Sequence, residues 1–121
     1  MPDLTTIVRL LTAHRFRWNN EDELQVGIAQ VLAEAGISHQ REAVLSGAGR
    51  IDFLLPDGLG LEVKVDGAPA VVARQVLAYA RHPAITALIV VTARAGTASL
   101  LPASSSGKEI HVVSLWRGAF A

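Results

Sequence analysis

Residues 85–92 read Ile-Thr-Ala-Leu-Ile-Val-Val-Thr, an almost continuous apolar run in which β-branched side chains dominate. A short run of this kind is typical of a strand buried on both faces of a sheet. Residues 69–81, just before it, carry apolar side chains at helical spacing, and His82-Pro83 ends that pattern. A helix there can carry the chain across the sheet to a parallel strand, which predicts an α/β fold.

Three consecutive segments upstream, at 38–46, 50–56 and 60–66, have the composition of strands. Turn residues separate them, including Asp57-Gly58 between the second and the third. Strands joined by short turns form a meander, so the meander, the helix and the buried strand predict a mixed central sheet flanked by helices. The remaining predicted elements are a helix at 3–13 capped by Asp3, a helix from Asn19 or Asn20 to about Ala35, a loop at 96–107 and a final strand at 109–116.

The composition fits one domain spanning residues 1–121. No cysteine is present, which excludes disulfides, thiolate metal sites and a cysteine nucleophile. Half of the residues are hydrophobic and only 18% are charged, a balance that favours burial of some surface in a homo-oligomer, with a dimer as the first expectation.

No signal-peptide pattern is evident at the N-terminus, and the longest apolar stretch, 84–92, falls short of the roughly 20 residues that span a bilayer. We therefore expect no membrane partner and a cytoplasmic (intracellular) location.

Charge alone does not decide between nucleic-acid binding and its absence. The formal net charge is zero, whereas nucleic-acid binders are often basic. A local basic segment nevertheless exists, because His14, Arg15 and Arg17 alternate with Phe16 and Trp18. Trp18 can stack on nucleic acid or, as the more conservative interpretation, pack beneath the first helix.

Two carboxylates and a lysine lie on the segments that the Asp57-Gly58 turn joins. The alternation of a strand places Glu62 and Lys64 on one face, and a hairpin brings Asp52 opposite residues 62–64. Two carboxylates can bind a hard divalent cation, and an ammonium group can hold a water and stabilise a developing anion. This arrangement points to phosphodiester hydrolysis, although Lys64 could instead pair with the acids on a solvated sheet face.

The order of elements around these residues resembles the PD-(D/E)xK, or restriction-endonuclease-like, nuclease superfamily, in particular its small resolvase-like and phage-type members. The resemblance covers about residues 20–93. Ile51-Asp52 stands at the position of the namesake Pro-Asp, and Glu62-Val63-Lys64 matches the second half of the motif. It implies an αβββαβ core, here with an extra N-terminal helix and an extra C-terminal strand.

The resemblance also implies roles for these residues. Asp52 and Glu62 would bind Mg²⁺, for which Mn²⁺ would substitute, and the backbone carbonyl of Val63 would be a further ligand. Lys64 would orient or help to deprotonate the attacking water. The products would carry a 5′-phosphate and a 3′-hydroxyl.

Two further positions follow from the resemblance. The leading helix of such families supplies a glutamate, for which helical spacing favours Glu21 over Glu23. Either acid could instead stabilise the helix dipole. Gln75, one turn before Tyr79, corresponds to a supporting glutamine, unless it merely lies at the boundary of a partly buried helix face.

We therefore expect a metal-dependent nuclease that hydrolyses phosphodiester bonds in DNA, duplex or branched, as an endonuclease in DNA processing, repair or recombination. The main alternative is a catalytically silent DNA-binding or assembly module with the same fold. A third is an α/β interaction protein that carries an incidental ion pair.

Overall fold

The computed structural model describes residues 3–115 and has a six-stranded sheet with the strand order β1-β2-β3-β4-β6-β5. A single 3₁₀ turn, Pro56–Gly58, joins β2 to β3. The helices are α1 (Leu4–Thr12), α2 (Glu21–Glu34), α3 (Pro69–Arg81) and α4 (Ala95–Leu100). The strands are β1 (Gln40–Leu45), β2 (Gly49–Leu54), β3 (Leu59–Lys64), β4 (Ala87–Thr92), β5 (Ser104–Ser105) and β6 (Lys108–Ser114).

The sheet is mixed. β1, β2 and β3 form the predicted antiparallel meander, and β3 then pairs in parallel with β4 after the α3 crossover. β4 also pairs in parallel with β6, while the short β5 runs antiparallel at the edge. The predicted α/β architecture, a mixed central sheet flanked by helices, is confirmed.

Each face of the sheet carries its own hydrophobic core. Ile89 and Val91 pack with α1 and α2 on one face, and Leu88 and Val90 pack with α3 on the other. All four side chains are buried, so β4 is covered on both faces, as its apolar composition predicted. We call these two sides the α2 face and the α3 face.

The helix ends follow local rules. The Asp3 and Asn20 side chains accept hydrogen bonds from Thr6 N and Glu23 N, which confirms both as N-caps. Gly36, with φ of 73°, follows the end of α2 in the left-handed conformation typical of that position. Within residues 3–115, none of the helices has both the length and the apolar character that crossing a membrane requires.

The prediction of a loop over 96–107 was wrong in part, because this stretch contains all but the first residue of α4 and also the edge strand β5. Thr97 of α4 is buried, and Gly96 lies against Pro69 at the start of α3, so packing stabilises a six-residue helix that has no side-chain N-cap. The predicted strands were slightly too long, usually by one or two residues at an end. Residue 116 of the predicted final strand lies outside the described residues.

Close packing on the α3 face gives a first stability prediction. A Cβ atom on Gly60 would lie 2.6 Å from Ile51 Cδ1 and 2.9 Å from Leu88 Cδ2. We expect Gly60→Ala to lower the free energy of unfolding by about 1–3 kcal/mol in urea denaturation, because these side chains would have to leave their rotamers. Gly27→Ala is the control: its Cβ would meet Phe16 Cδ1 at 3.2 Å, and it gains helix propensity of about 1 kcal/mol. Equal losses in the two variants would contradict the packing argument.

Candidate metal and phosphodiester site

The regular alternation of side chains along β2 is interrupted at Asp52. Ile51 belongs to the core on the α3 face and Phe53 to the core on the α2 face, although regular alternation would place residues two apart on the same face. On the neighbouring strand β1, Glu42 falls opposite Asp52 and has a φ of 50°, in the left-handed region. Both strands are therefore distorted at the same level, and Asp52 leaves the regular ladder.

Beyond this distortion, side-chain carboxylates bond the backbone of the neighbouring strand. Regular pairing between β2 and β3 ends at the residue pair Phe53–Leu61. The Asp52 N–H then donates to Glu62 Oε1 at 3.0 Å, and the Val63 N–H donates to Asp52 Oδ2 at 2.8 Å. The hairpin thus brings Asp52 to the level of residues 62 and 63, as predicted.

The backbone of Val63 faces the same gap between β2 and β3. In an extended strand, the N–H and C=O groups of one residue point to the same side. Because the Val63 N–H donates to Asp52, the Val63 carbonyl is directed to the Asp52 side of β3 as well. Three oxygen-bearing groups, two carboxylates and one carbonyl, are therefore available along this gap.

Glu62 is the most perturbed acid in the site. It is only 1% exposed and lies on the α3 face beneath α3, so the solvated face assumed in the simple ion-pair alternative is absent. Burial is the first cause that raises the pKa of Glu62, from 4.5 to about 8, and the neighbouring charge of Asp52 is the second. The Asp52 N–H and Lys64 oppose this shift only in part. Burial and the Asp52 charge therefore disfavour the ionised form of this carboxyl, which a bound cation would favour.

Lys64 lies between the buried Glu62 and solvent. Its Nζ is 3.8 Å from Glu62 Oε2, and its side chain is 26% exposed whereas that of Glu62 is 2% exposed. Glu62 and Lys64 occupy the same face of β3, as the alternation predicted. An ammonium group between a buried carboxylate and solvent can donate a hydrogen bond to an incoming water or phosphate.

The two candidate glutamates of α2 lie in different environments. Glu21 is half-buried, and its Oε1 accepts a hydrogen bond from Val65 N at 3.2 Å, one residue beyond Lys64. Burial raises its pKa, and the Val65 N–H partly opposes that shift. Glu23 is exposed and accepts hydrogen bonds from the backbone and side chain of Asn19, so it caps the helix. The structure therefore brings Glu21 to the end of β3, whereas Glu23 bonds to Asn19 at the start of α2.

Tyr79 is a site neighbour whose contact with Glu62 sequence reasoning missed. Its buried hydroxyl donates to the Arg50 carbonyl at 2.8 Å and lies 3.4 Å from Glu62 Oε2. Burial first, and then the Glu62 charge, raises the pKa of this hydroxyl. The sequence signal was its place as the single tyrosine of the chain on the inward side of a helix.

Gln75 lies near the site without a bond to it. It is half-buried, and its side chain makes no hydrogen bond within residues 3–115. Val72 lies beside Gly67 and Tyr79 beside Glu62, so α3 runs antiparallel to β3. One helical turn of about 6 Å from Tyr79 places Gln75 at the level of Lys64.

The donor set fits a magnesium ion in part. No group of three or more His, Asp or Glu side chains is arranged to hold a metal within residues 3–115. Mg²⁺ is, however, commonly held by one or two carboxylates, with waters and substrate phosphate completing the shell. Asp52 and Glu62 provide two carboxylates whose mutual repulsion a cation would relieve. The residues present therefore fit Mg²⁺ or Mn²⁺ in part, as a two-carboxylate site in which other ligands would have to complete the shell.

Comparisons with protein-family models, with curated proteins and with solved structures found no match to this chain. The case for a function therefore rests on the residues of the site itself.

Proposed function

We propose that this protein is a Mg²⁺-dependent nuclease that hydrolyses phosphodiester bonds in DNA. The observation that carries the proposal is the pairing of the buried Glu62 with the half-buried Asp52, with Lys64 Nζ 3.8 Å from Glu62 Oε2 and part-exposed to solvent. A structural Glu–Lys ion pair has no need of a second acid that raises the pKa of the first. A cation site does, because the cation offsets both charges.

The order of elements supports a restriction-endonuclease-like core. Helix α2, the meander β1-β2-β3, the crossover α3 and the parallel strand β4 follow one another as αβββαβ. In this interpretation α1 and the segment from α4 to β6 are additions. The carboxylates lie on the second and third strands of the core, where the resemblance expects them.

Each site residue has a role in the proposed reaction. A bound Mg²⁺ supplies Lewis-acid activation of the phosphate and of a water molecule. Asp52, Glu62 and the Val63 carbonyl would hold the ion, and Lys64 would donate a hydrogen bond that orients the attacking water and stabilises negative charge developing on the phosphate. Glu21 fixes the backbone at Val65 by accepting a hydrogen bond from Val65 N.

Endonuclease action in DNA processing, repair or recombination follows as the biological setting. A homodimer would present two such sites, one for each strand of a duplex or branched substrate. The alternative is a catalytically silent DNA-binding or assembly module with the same fold; the balanced charge of eleven basic and eleven acidic residues is compatible with an assembly role. Measurements of metal binding and of DNA cleavage distinguish the nuclease from the catalytically silent module.

Calorimetric titration with Mg²⁺ or Mn²⁺ tests the metal site. We expect the wild-type protein to bind the ion and Asp52→Asn to lose at least tenfold in affinity, because one of two carboxylate ligands is removed. Asp57→Asn is the matched control, since Asp57 is an exposed aspartate in the turn before β3. Equal affinity in wild type and Asp52→Asn would refute the assignment.

A further inference from the structure

The carboxyl ends of the parallel strands define one edge of the sheet, where Lys64 of β3, Thr92 of β4 and Ser114 of β6 stand side by side in register. We call this the carboxyl edge. Helix α2 begins there, because Glu21, its first residue, accepts a hydrogen bond from Val65 N. The proposed site therefore opens at the carboxyl edge.

Helix α1 begins at the opposite edge. Asp3 and Leu4 border a cavity of about 230 Å³ together with Asp57 and with Thr86, which immediately precedes β4. The segment 13–20, which joins the end of α1 to the start of α2, must therefore arrive at the carboxyl edge. This segment contains the basic residues His14, Arg15 and Arg17, although the formal net charge of the whole chain is zero.

Packing fixes which side chains of the segment face outward. Phe16 and Trp18 are half-buried against the core of the α2 face, and Phe16 Cδ1 lies 3.2 Å from the position that a Cβ on Gly27 would occupy. The aromatic side chains thus hold the segment on the protein. Arg15 and Arg17, which alternate with them, are exposed.

Neither arginine is neutralised. Within residues 3–115, Arg15 and Arg17 make no salt bridge and no side-chain hydrogen bond. Their exposed guanidinium groups extend from a packed backbone at the carboxyl edge and remain available to a ligand. Arginine is the residue best suited to phosphate, because its planar fork can donate two hydrogen bonds at once.

Chain length bounds the separation of these cations from the site. Arg17 precedes Glu21 by four residues, so their Cα atoms lie no more than about 14 Å apart. Successive phosphates of one DNA strand rise by about 3.4 Å along the helix axis and also wind around it, so this upper bound corresponds to only a few nucleotides of a strand. Arg17, and Arg15 beyond it, are therefore within reach of the strand that would occupy the Lys64 site.

We propose that Arg15 and Arg17 form a phosphate-contacting surface that binds the backbone of DNA a few nucleotides from the bond placed at Lys64. This inference rests on the proposed function, since it assumes that the strand reaches the carboxyl edge. The contacts are to phosphate and carry no sequence information. Asp22, at the start of α2, and Asp66, just beyond β3, are exposed acids whose like charge would repel a phosphate backbone.

Fluorescence anisotropy with labelled duplex DNA tests the surface. The measurement uses the full chain carrying Asp52→Asn, without divalent metal, so that binding is observed independently of metal loading and cleavage. Adding Arg15→Ala and Arg17→Ala is expected to raise the Kd at least tenfold. It should also reduce the slope of log K against log salt by about 1.5 to 2, because two phosphate contacts are lost.

Arg81→Ala provides the matched control, because Arg81 is an exposed arginine at the far end of α3. It should leave both the Kd and the salt slope unchanged. An unchanged Kd and slope in the double-arginine variant, or an equal loss in Arg81→Ala, would overturn the inference. Arginine-dependent binding by a protein that never cleaves would support this surface and refute the nuclease proposal; cleavage with arginine-independent binding would do the reverse.

Discussion

Lys64→Met is expected to lose about 10²- to 10⁴-fold in Mg²⁺-dependent cleavage rate while still binding the ion. Lys64 contributes no oxygen ligand, and its part-exposed side chain lets methionine replace its aliphatic stem without disturbing the core. Asp52→Asn should differ, losing both metal affinity and cleavage. The pair of measurements therefore separates the role proposed for Lys64, on water and phosphate, from the metal-binding role proposed for Asp52.

The other lysine of the chain gives the matched control for this prediction. Lys108 donates a hydrogen bond to the His82 carbonyl at 2.7 Å, away from the carboxylates. Lys108→Met should therefore lower stability but leave the cleavage rate of the folded protein unchanged. A Lys64→Met variant that cleaves at the wild-type rate would remove Lys64 from the mechanism.

Glu62→Gln is expected to stabilise the metal-free protein at pH 8. The folded-state pKa of Glu62, about 8, lies above its ordinary value of 4.5. Between these values the folded state binds more protons than the unfolded state, so this residue lowers the free energy of unfolding as pH rises. The slope has an upper limit of about 1.4 kcal/mol per pH unit for one group. Glutamine keeps the shape without the charge and should remove this contribution.

Urea denaturation between pH 5 and pH 8.5, with a chelator present, measures this effect as the difference between the two proteins. The difference should grow with pH in favour of Glu62→Gln. Mg²⁺ should then raise the stability of wild type and leave that of the variant nearly unchanged. Glu109→Gln, an exposed glutamate on β6, should show no pH-dependent gain. A constant difference across the pH range would mean that Glu62 is not perturbed as described.

Local rules in the sequence predict much of this fold. Helix α3 begins at Pro69 and ends at Arg81, as its spacing and the following His82-Pro83 indicate. The alternation of β3 places Glu62 and Lys64 on one face, and the turn at Asp57 and Gly58, both at positive φ, sets the pairing with β2. Each of these features depends on residues a few positions apart, which is why periodicity and turn chemistry suffice.

Other features depend on contacts between distant residues. The interrupted alternation of β2 at Asp52 involves Glu42 on the neighbouring strand and two cores on opposite faces. No local sequence pattern encodes this distortion. The burial of Glu62 comes from α3, whose Tyr79 covers it. Packing against α3 likewise stabilises the short α4. Sequence alone therefore predicts that Asp52 and Glu62 come together. It does not predict that Glu62 is buried or that the strands are distorted at Asp52.

The choice between Glu21 and Glu23 shows an intermediate case. Once Asn20 is the N-cap, Glu23 stands at the third helical position, where glutamate side chains bond back to the preceding backbone. That rule assigns Glu23 to capping from sequence alone. The contact of Glu21 with Val65, 44 residues away, required the tertiary structure.

Cleavage of end-labelled DNA by the purified protein, with and without Mg²⁺, tests directly whether this protein is a metal-dependent nuclease. The panel comprises single-stranded, duplex, flapped and four-way substrates, with Asp52→Asn as the blank and Asp57→Asn as the active control. We expect Mg²⁺-dependent products from at least one substrate with wild type and Asp57→Asn, and none with Asp52→Asn. Absence of cleavage by the wild-type protein across the panel, or cleavage that Asp52→Asn retains, would contradict this expectation.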